Sequence, residues 1–186
     1  MGKTVTSVAM STYHSIALAS DGTAHTWGRN DLGQLGTGNN SSSNYPLAVS
    51  TGASSSLSGL TVTKVTLGGG HSIVIANNGT VHTWGDNSYG QLGNSTSGYG
   101  TEKNVPVAVT TTGLSSLSGK AVTHVAAGGN HSIALASDGK VHSWGNNDYG
   151  QLGLGASGNR FFPWAVNTVN GTSSLYGKTV TAIAAG

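Results

Sequence analysis

"HSIALASDGKVHSWGNNDYGQLG" occupies 131–153. Its reading decides the fold, because close copies of it stand at 14–36, "HSIALASDGTAHTWGRNDLGQLG", and at 71–93, "HSIVIANNGTVHTWGDNSYGQLG". The first and third copies agree at 18 of 23 positions. Val5, Val62, Val122 and Val180 open equivalent segments, at spacings of 57, 60 and 58 residues. A period this long and this strict marks a tandem-repeat architecture.

Each unit reads as four short strands. The first is "TVTKVTL" (61–67) or "AVTHVAA" (121–127), and the second is "HSIALAS" or "HSIVIAN". An Asp-Gly or Asn-Gly pair follows at Asp21-Gly22, Asn78-Gly79 and Asp138-Gly139, the signature of a type I′ hairpin turn. The third strand is "AHTWG", "VHTWG" or "VHSWG". The fourth is "PLAV" (46–49), "PVAV" (106–109) or "PWAV" (163–166), with the only three prolines of the chain at its start. No segment sustains a 3.6-residue apolar period, so helix is not expected. A two-residue turn at Asp21-Gly22 sets Leu18 opposite His25 and Ile16 opposite Trp27. His14, Ile16, Leu18, His25 and Trp27 then share one bulky face, with Ala17 and Ala19 on the small one. Four-stranded sheets with one bulky and one small face stack in series as propeller blades. The chain divides into blade 1 (about 4–60), blade 2 (about 61–120), blade 3 (about 121–178) and 179–186, an extra first strand of a next blade.

The totals narrow the function. Only 8 Lys and Arg face 6 Asp and Glu, with no basic run, which argues against a nucleic-acid partner. No apolar stretch is long enough for a membrane helix, and the N-terminus has no apolar core of the signal-peptide kind. The absence of cysteine removes disulfides, thiol catalysis and cysteine-based zinc sites.

The run "H-S-I-A-L-A-S-D-G-x-V-H-S-W-G-x-N-x-Y-G-Q-L-G-x-G", followed by P-x-A-V and G-K-x-V-T, resembles the regulator-of-chromosome-condensation repeat, and the resemblance covers essentially the whole chain. It implies a β-propeller, usually of about seven blades, used mainly to bind other proteins. One member is a nuclear nucleotide-exchange factor that also docks on nucleosomes; others are a plant light sensor and secreted inhibitors of β-lactamase. Sparse charge with many Ser, Thr and Gly looks more like the secreted bacterial members. The chain departs from the pattern with three blades' worth of sequence, longer blades, and histidine where tyrosine often precedes Ser/Thr-Trp-Gly.

Several chemistries fail on the residues. "WGDNSYGQLG" has glycine spacing reminiscent of a P-loop, but no Lys-Ser/Thr follows and no helix is expected after it. A phosphate site is needed once, not in every blade. His14/His25, His71/His82 and His131/His142 pair eleven apart, yet each pair belongs to its own blade and no carboxylate repeats beside it, so neither metal nor cofactor is expected. Ser15 follows His14 directly, and strand neighbours face opposite ways, so His14 cannot activate it. With one glutamate and no carboxylate pair, the chain reads as non-enzymatic.

Periodic residues argue for packing: His14, Trp27, His71, Trp84, His131 and Trp144 are expected in a structural repeat core. Function is expected where the repeats differ, between "GQLG" and proline. There stand Tyr45, Tyr99 and the run "NRFFPW" (159–164), which gathers Arg160, Phe161, Phe162 and Trp164. Aromatic residues and arginine are the types enriched in interface hot spots. The equally available reading of Phe161, Phe162 and Trp164 is a plug at one end of the array. The leading expectation is a protein-interaction scaffold. The alternatives are an excised or engineered array whose main property is self-assembly and, from the resemblance alone, a guanine-nucleotide exchange factor. Three blades are too few to close a propeller. Two chains joined head to tail are therefore expected to form a six-bladed ring, recovering roughly 1.5–3 kcal/mol for each bulky side chain covered.

Overall fold

The computed structural model describes residues 2–186. Blade 1 holds β1 (Val5–Met10), β2 (His14–Ala19), β3 (Ala24–Gly28) and β4 (Ser43–Ala48). Blade 2 holds β5 (Val62–Leu67), β6 (His71–Ala76), β7 (Val81–Gly85) and β8 (Lys103–Ala108). Blade 3 holds β9 (Val122–Ala127), β10 (His131–Ala136), β11 (Val141–Gly145) and β12 (Arg160–Ala165). Each blade is a four-stranded antiparallel sheet whose strands pair in chain order. β1 lies against β5, and β5 against β9. The first strands therefore form the inner side of the array, and β4, β8 and β12 form its rim.

The hairpin register differs from the sequence expectation by one residue. Leu18 pairs with Ala24, Ile16 with Thr26 and Ser15 with Trp27. The Ala19 amide donates to the Thr23 carbonyl at 2.9 Å, so the loop is the three residues Ser20, Asp21 and Gly22. Only Gly22 has positive φ, +80°, as in a type I turn closed by a glycine bulge rather than a type I′ pair. A one-residue slip moves a whole strand's side chains to the other face. Trp27 and His25 therefore share a face with Ser15, Ala17 and Ala19, not with His14, Ile16 and Leu18.

That register explains the stacking. Ile16, Leu18 and Ala24 of blade 1 pack on Val74, Ala76 and Trp84 of blade 2. Ile73, Ile75 and Val81 of blade 2 pack on Ala134, Ala136 and Trp144 of blade 3. Each interface joins the branched aliphatic face of one blade to the small-residue and tryptophan face of the next. Trp84 and Trp144 are fully buried, whereas Trp27, on the uncovered face of blade 1, is half-buried.

The prolines also sit differently. Pro46, Pro106 and Pro163 are the fourth residues of β4, β8 and β12, not their starts. A rim strand pairs on one side only, so the missing N–H is tolerated there and discourages edge-to-edge pairing.

Residues 179–186 carry first-strand sequence but pair with no second strand. They nevertheless lie in the first-strand place. The Val180 amide donates to the Gly139 carbonyl at 3.1 Å, as Val62 does to Gly22 and Val122 to Gly79. The Gly186 carbonyl lies against Gly128 as the Gly128 carbonyl lies against Gly68.

Candidate interaction surface

The repeated polar residues build the blade junctions. His14 Nε2 lies 3.0 Å from Ser72 Oγ, and His71 Nε2 lies 2.9 Å from Ser132 Oγ. Each serine hydroxyl donates its one proton to a backbone carbonyl, Ser72 to Gln34 at 2.9 Å and Ser132 to Gln91 at 2.8 Å. The imidazoles must then donate from Nε2–H, which fixes their tautomer. Burial lowers the His14 pKa to about 4 and the His71 pKa to about 3, so both rings are neutral. Trp84 Nε1 and Trp144 Nε1 donate to the same two carbonyls, at 2.8 and 2.9 Å. Each junction also has an outer bond. Ser56 Oγ reaches His82 Nδ1, and Ser116 Oγ reaches His142 Nδ1, both at 2.6 Å.

Serine–histidine pairs thus do exist, between blades and also within blade 1, where Ser11 Oγ lies 2.8 Å from His14 Nδ1. Ser72 and Ser132 are fully buried and already bound to carbonyls, so neither hydroxyl can meet a substrate. Among the described residues no three His, Asp or Glu side chains gather as a metal site. A hollow of about 200 Å³ lined by Val141, Val166, Leu175 and Val180 recurs at the equivalent place in the other blades. Recurrence makes it a property of the blade connection.

The glycine-rich stretch proves to be a clamped turn. Asn30, Asn87 and Asn147 accept from the Leu35, Leu92 and Leu152 amides through Oδ1, at 2.8–3.1 Å. Gln34, Gln91 and Gln151 accept from the Leu32, Tyr89 and Tyr149 amides through Oε1. The leucines between them are buried. The side chains that might have reached a phosphate are spent on holding the turn.

What is unique lies on the rim of blade 3. The Arg160 guanidinium carbon stands 4.8 Å from the Trp164 ring centroid. Phe162 stacks on Trp164 at 5.9 Å and 30°, and Phe161 meets Phe162 edge-on at 6.2 Å. Phe162 and Trp164 are two apart on β12 and so share a face. Phe161 turns the other way, with its backbone against Gly90 of blade 2 and its carbonyl accepting from the Ser95 amide at 2.7 Å. Phe161 and Trp164 are 42% and 40% exposed, too open for a sealed plug. The structure therefore brings together four of the six residues singled out by sequence. Tyr45, on β4, and Tyr99, in the loop between β7 and β8, are exposed and make no aromatic contact among the described residues.

Two exposed features were missed. Tyr149 is 94% exposed, although its counterparts Leu32 and Tyr89 are half-buried. Arg29 lies 5.2 Å from the Tyr13 ring and pairs with Asp31. Arg29 stands where the other copies have Asp86 and Asn146, and that departure from the repeat was the available signal.

The family model for the regulator of chromosome condensation (RCC1) repeat matches residues 21–75, 78–135 and 138–186, and a second model of that repeat matches 5–34, 62–91 and 122–151. The probable E3 ubiquitin-protein ligase HERC6 of Homo sapiens is 35% identical over 162 residues, 87% of this chain and 15% of HERC6. The ultraviolet-B receptor UVR8 of Arabidopsis thaliana is 32% identical over 171 residues, 91% of this chain and 36% of UVR8. Among solved structures, Prp20p from Saccharomyces cerevisiae superposes with a TM-score of 0.74 at 21% identity, over 91% of this chain and 40% of Prp20p. The chain thus spans well under half the length of each.

Proposed function

We propose that this chain, which belongs to the RCC1 repeat family, is a non-enzymatic protein-interaction module whose partner docks on the rim of blade 3. The carrying observation is the stack of Arg160, Trp164 and Phe162, in which Trp164 is exposed and the other two are half-buried. Arginine and tryptophan contribute disproportionately to interface energy, and an arginine held over an indole loses less freedom on binding than a free one. The nearby rim offers little charge, so the partner contributes apolar groups and hydrogen-bond acceptors for the guanidinium. Prp20p, which shares the fold, is described by its binding to Gsp1p and histones, and supports a binding role of this general kind. The non-catalytic reading is supported by the buried, carbonyl-bound state of Ser72 and Ser132 beside their histidines.

Affinity capture with the intact chain, beside a variant carrying Arg160→Ala, Phe161→Ala and Phe162→Ala, tests the assignment. Circular dichroism checks that the variant keeps the fold. A protein retained by the intact chain and depleted at least tenfold on the variant supports the rim site. Equal retention by both refutes it.

A further inference from the structure

The histidine, serine and tryptophan bonds that join one blade to the next occur twice in this chain, and the two halves of a third set stand unmatched at its ends. On the open side of blade 3 are His131 Nε2, the Gln151 carbonyl and Ser174 Oγ, the counterparts of His71, Gln91 and Ser116. On the open side of blade 1 are Ser15 Oγ, Trp27 Nε1 and His25 Nδ1, the counterparts of Ser72, Trp84 and His82. None of these six atoms has a hydrogen-bond partner among the described residues. Shape agrees with chemistry. Gly36 and Gly93 are covered by Trp84 and Trp144, whereas the equivalent Gly153 has only Val166 nearby, which leaves room for an indole.

We propose that a second copy of this chain covers both open faces, blade 3 of each copy receiving blade 1 of the other. His131 Nε2–H donates to Ser15 Oγ, Ser15 Oγ–H and Trp27 Nε1–H donate to the Gln151 carbonyl, and Ser174 Oγ–H donates to His25 Nδ1. The contact is head to tail. Two such contacts close a six-bladed ring with a two-fold axis along its channel.

Residues 179–186 define how the inner side joins. They already hold the first-strand place beside blade 3, which a second copy's β1 would otherwise take. They therefore pair with β2 of that copy in place of its β1. One ladder replaces another, and the net gain comes from the covered faces.

Light scattering with sedimentation, on the 186-residue chain at micromolar concentration, tests the proposal. The expected mass is twice 18.6 kDa. Trp27→Ala, at one end, and Gly153→Ala, at the other, each raise the dissociation constant at least tenfold. Neither residue lies in a junction between blades of one chain, so the melting of the dissociated chain stays within a few degrees. Mixing the two variants restores association, because one undamaged junction is regained. A further blade in a longer polypeptide would offer the same bonding groups. For that occupant this chain is a stable 18.6 kDa monomer, and a monomer overturns the proposal. So does a dimer indifferent to both substitutions.

Discussion

Replacing Gly93 by alanine tests whether the repeated glycine-rich stretch is a packing device. Gly93 has φ +64°, and a Cβ placed on it would lie 2.6 Å from Trp144 Nε1 and 2.9 Å from Trp144 Cδ1. Gly119 has nearly the same φ, +68°, but nothing within 4 Å of the added carbon. Both substitutions carry the left-handed backbone cost of roughly 1–2 kcal/mol. Only Gly93→Ala also pushes on a fully buried indole, a rigid group with no free end to give. Overpacking of this kind costs about 1–3 kcal/mol. Shifting Trp144 also breaks its 2.9 Å bond to the Gln91 carbonyl, leaving a buried donor unmet for about 1–3 kcal/mol more. Gly93→Ala is therefore expected to destabilise by about 2–6 kcal/mol beyond Gly119→Ala. Urea unfolding followed by tryptophan fluorescence measures both, with the slopes compared to confirm a common unfolded state. Equal losses, within the roughly 1 kcal/mol that extrapolation allows, would refute the close approach of Gly93 to Trp144.

Three other outcomes are expected. Folded His14 and His71 have pKa values lowered from 6.5 to about 4 and about 3, so between pH 6.5 and 4 the unfolded chain binds more protons. Stability is then complete above pH 6.5 and falls with pH through that window, by on the order of 5 kcal/mol at about 1.4 kcal/mol per pK unit. A urea midpoint unchanged between pH 7.5 and 4.5 contradicts the neutral, buried rings. Lys140→Thr should stabilise blade 3 by about 0.5–1.5 kcal/mol. His142 Nε2 is buried without a partner, while Thr80 Oγ1 meets His82 Nε2 at 2.7 Å in blade 2; a thermal melt no higher than the parent's counts against it. Ser72→Ala leaves His14 Nε2 unmet and should cost about 1–3 kcal/mol, and hydrogen exchange should quicken first in the strands flanking the junction of blades 1 and 2. Unchanged exchange there would show that the bond contributes nothing.

Much of the fold was legible because the chain states it three times. Period-2 alternation and the Asp-Gly and Asn-Gly pairs located β2, β3 and their counterparts to within a residue. The pairing register was not legible. A two-residue type I′ turn and a three-residue bulged turn share the same Asp-Gly signature. They are told apart by φ at Asp21, which is not positive, and by the aspartate's own bonds. Asp21 Oδ1 accepts from the Thr23 amide at 3.1 Å and from Thr23 Oγ1 at 2.6 Å. The hint was a residue two after the aspartate or asparagine able to return that bond, as in Thr80 with Asn78. The site was legible as departure from the repeat, which is how Arg160 and Trp164 stood out. Tyr149 could not be found that way. It follows the repeat in sequence, and its exposure comes from its place on the open side of blade 3.

The one-residue correction also changes what the open ends can do. With Trp27 beside Ile16 and Leu18, one end would be a large apolar face and the other a small one, with little to choose a partner beyond area. The observed register separates them chemically. The blade 1 end carries hydroxyl and indole donors, Ser15 and Trp27, on a floor of alanines. The blade 3 end carries the Gln151 carbonyl, which can accept from both, and His131, which donates to the serine. Two like ends do not offer each other these pairs. Blade 1 against blade 1 brings no carbonyl of the Gln151 kind to the two indole N–H groups, and blade 3 against blade 3 brings no indole to the two carbonyls. A buried group left unmet costs about 1–3 kcal/mol. Direction along the array is therefore enforced by the polar residues, while the aliphatic residues supply the adhesion. This division also accounts for buried histidines in a chain with so little charge: they are the donors that make one end of a blade unlike the other.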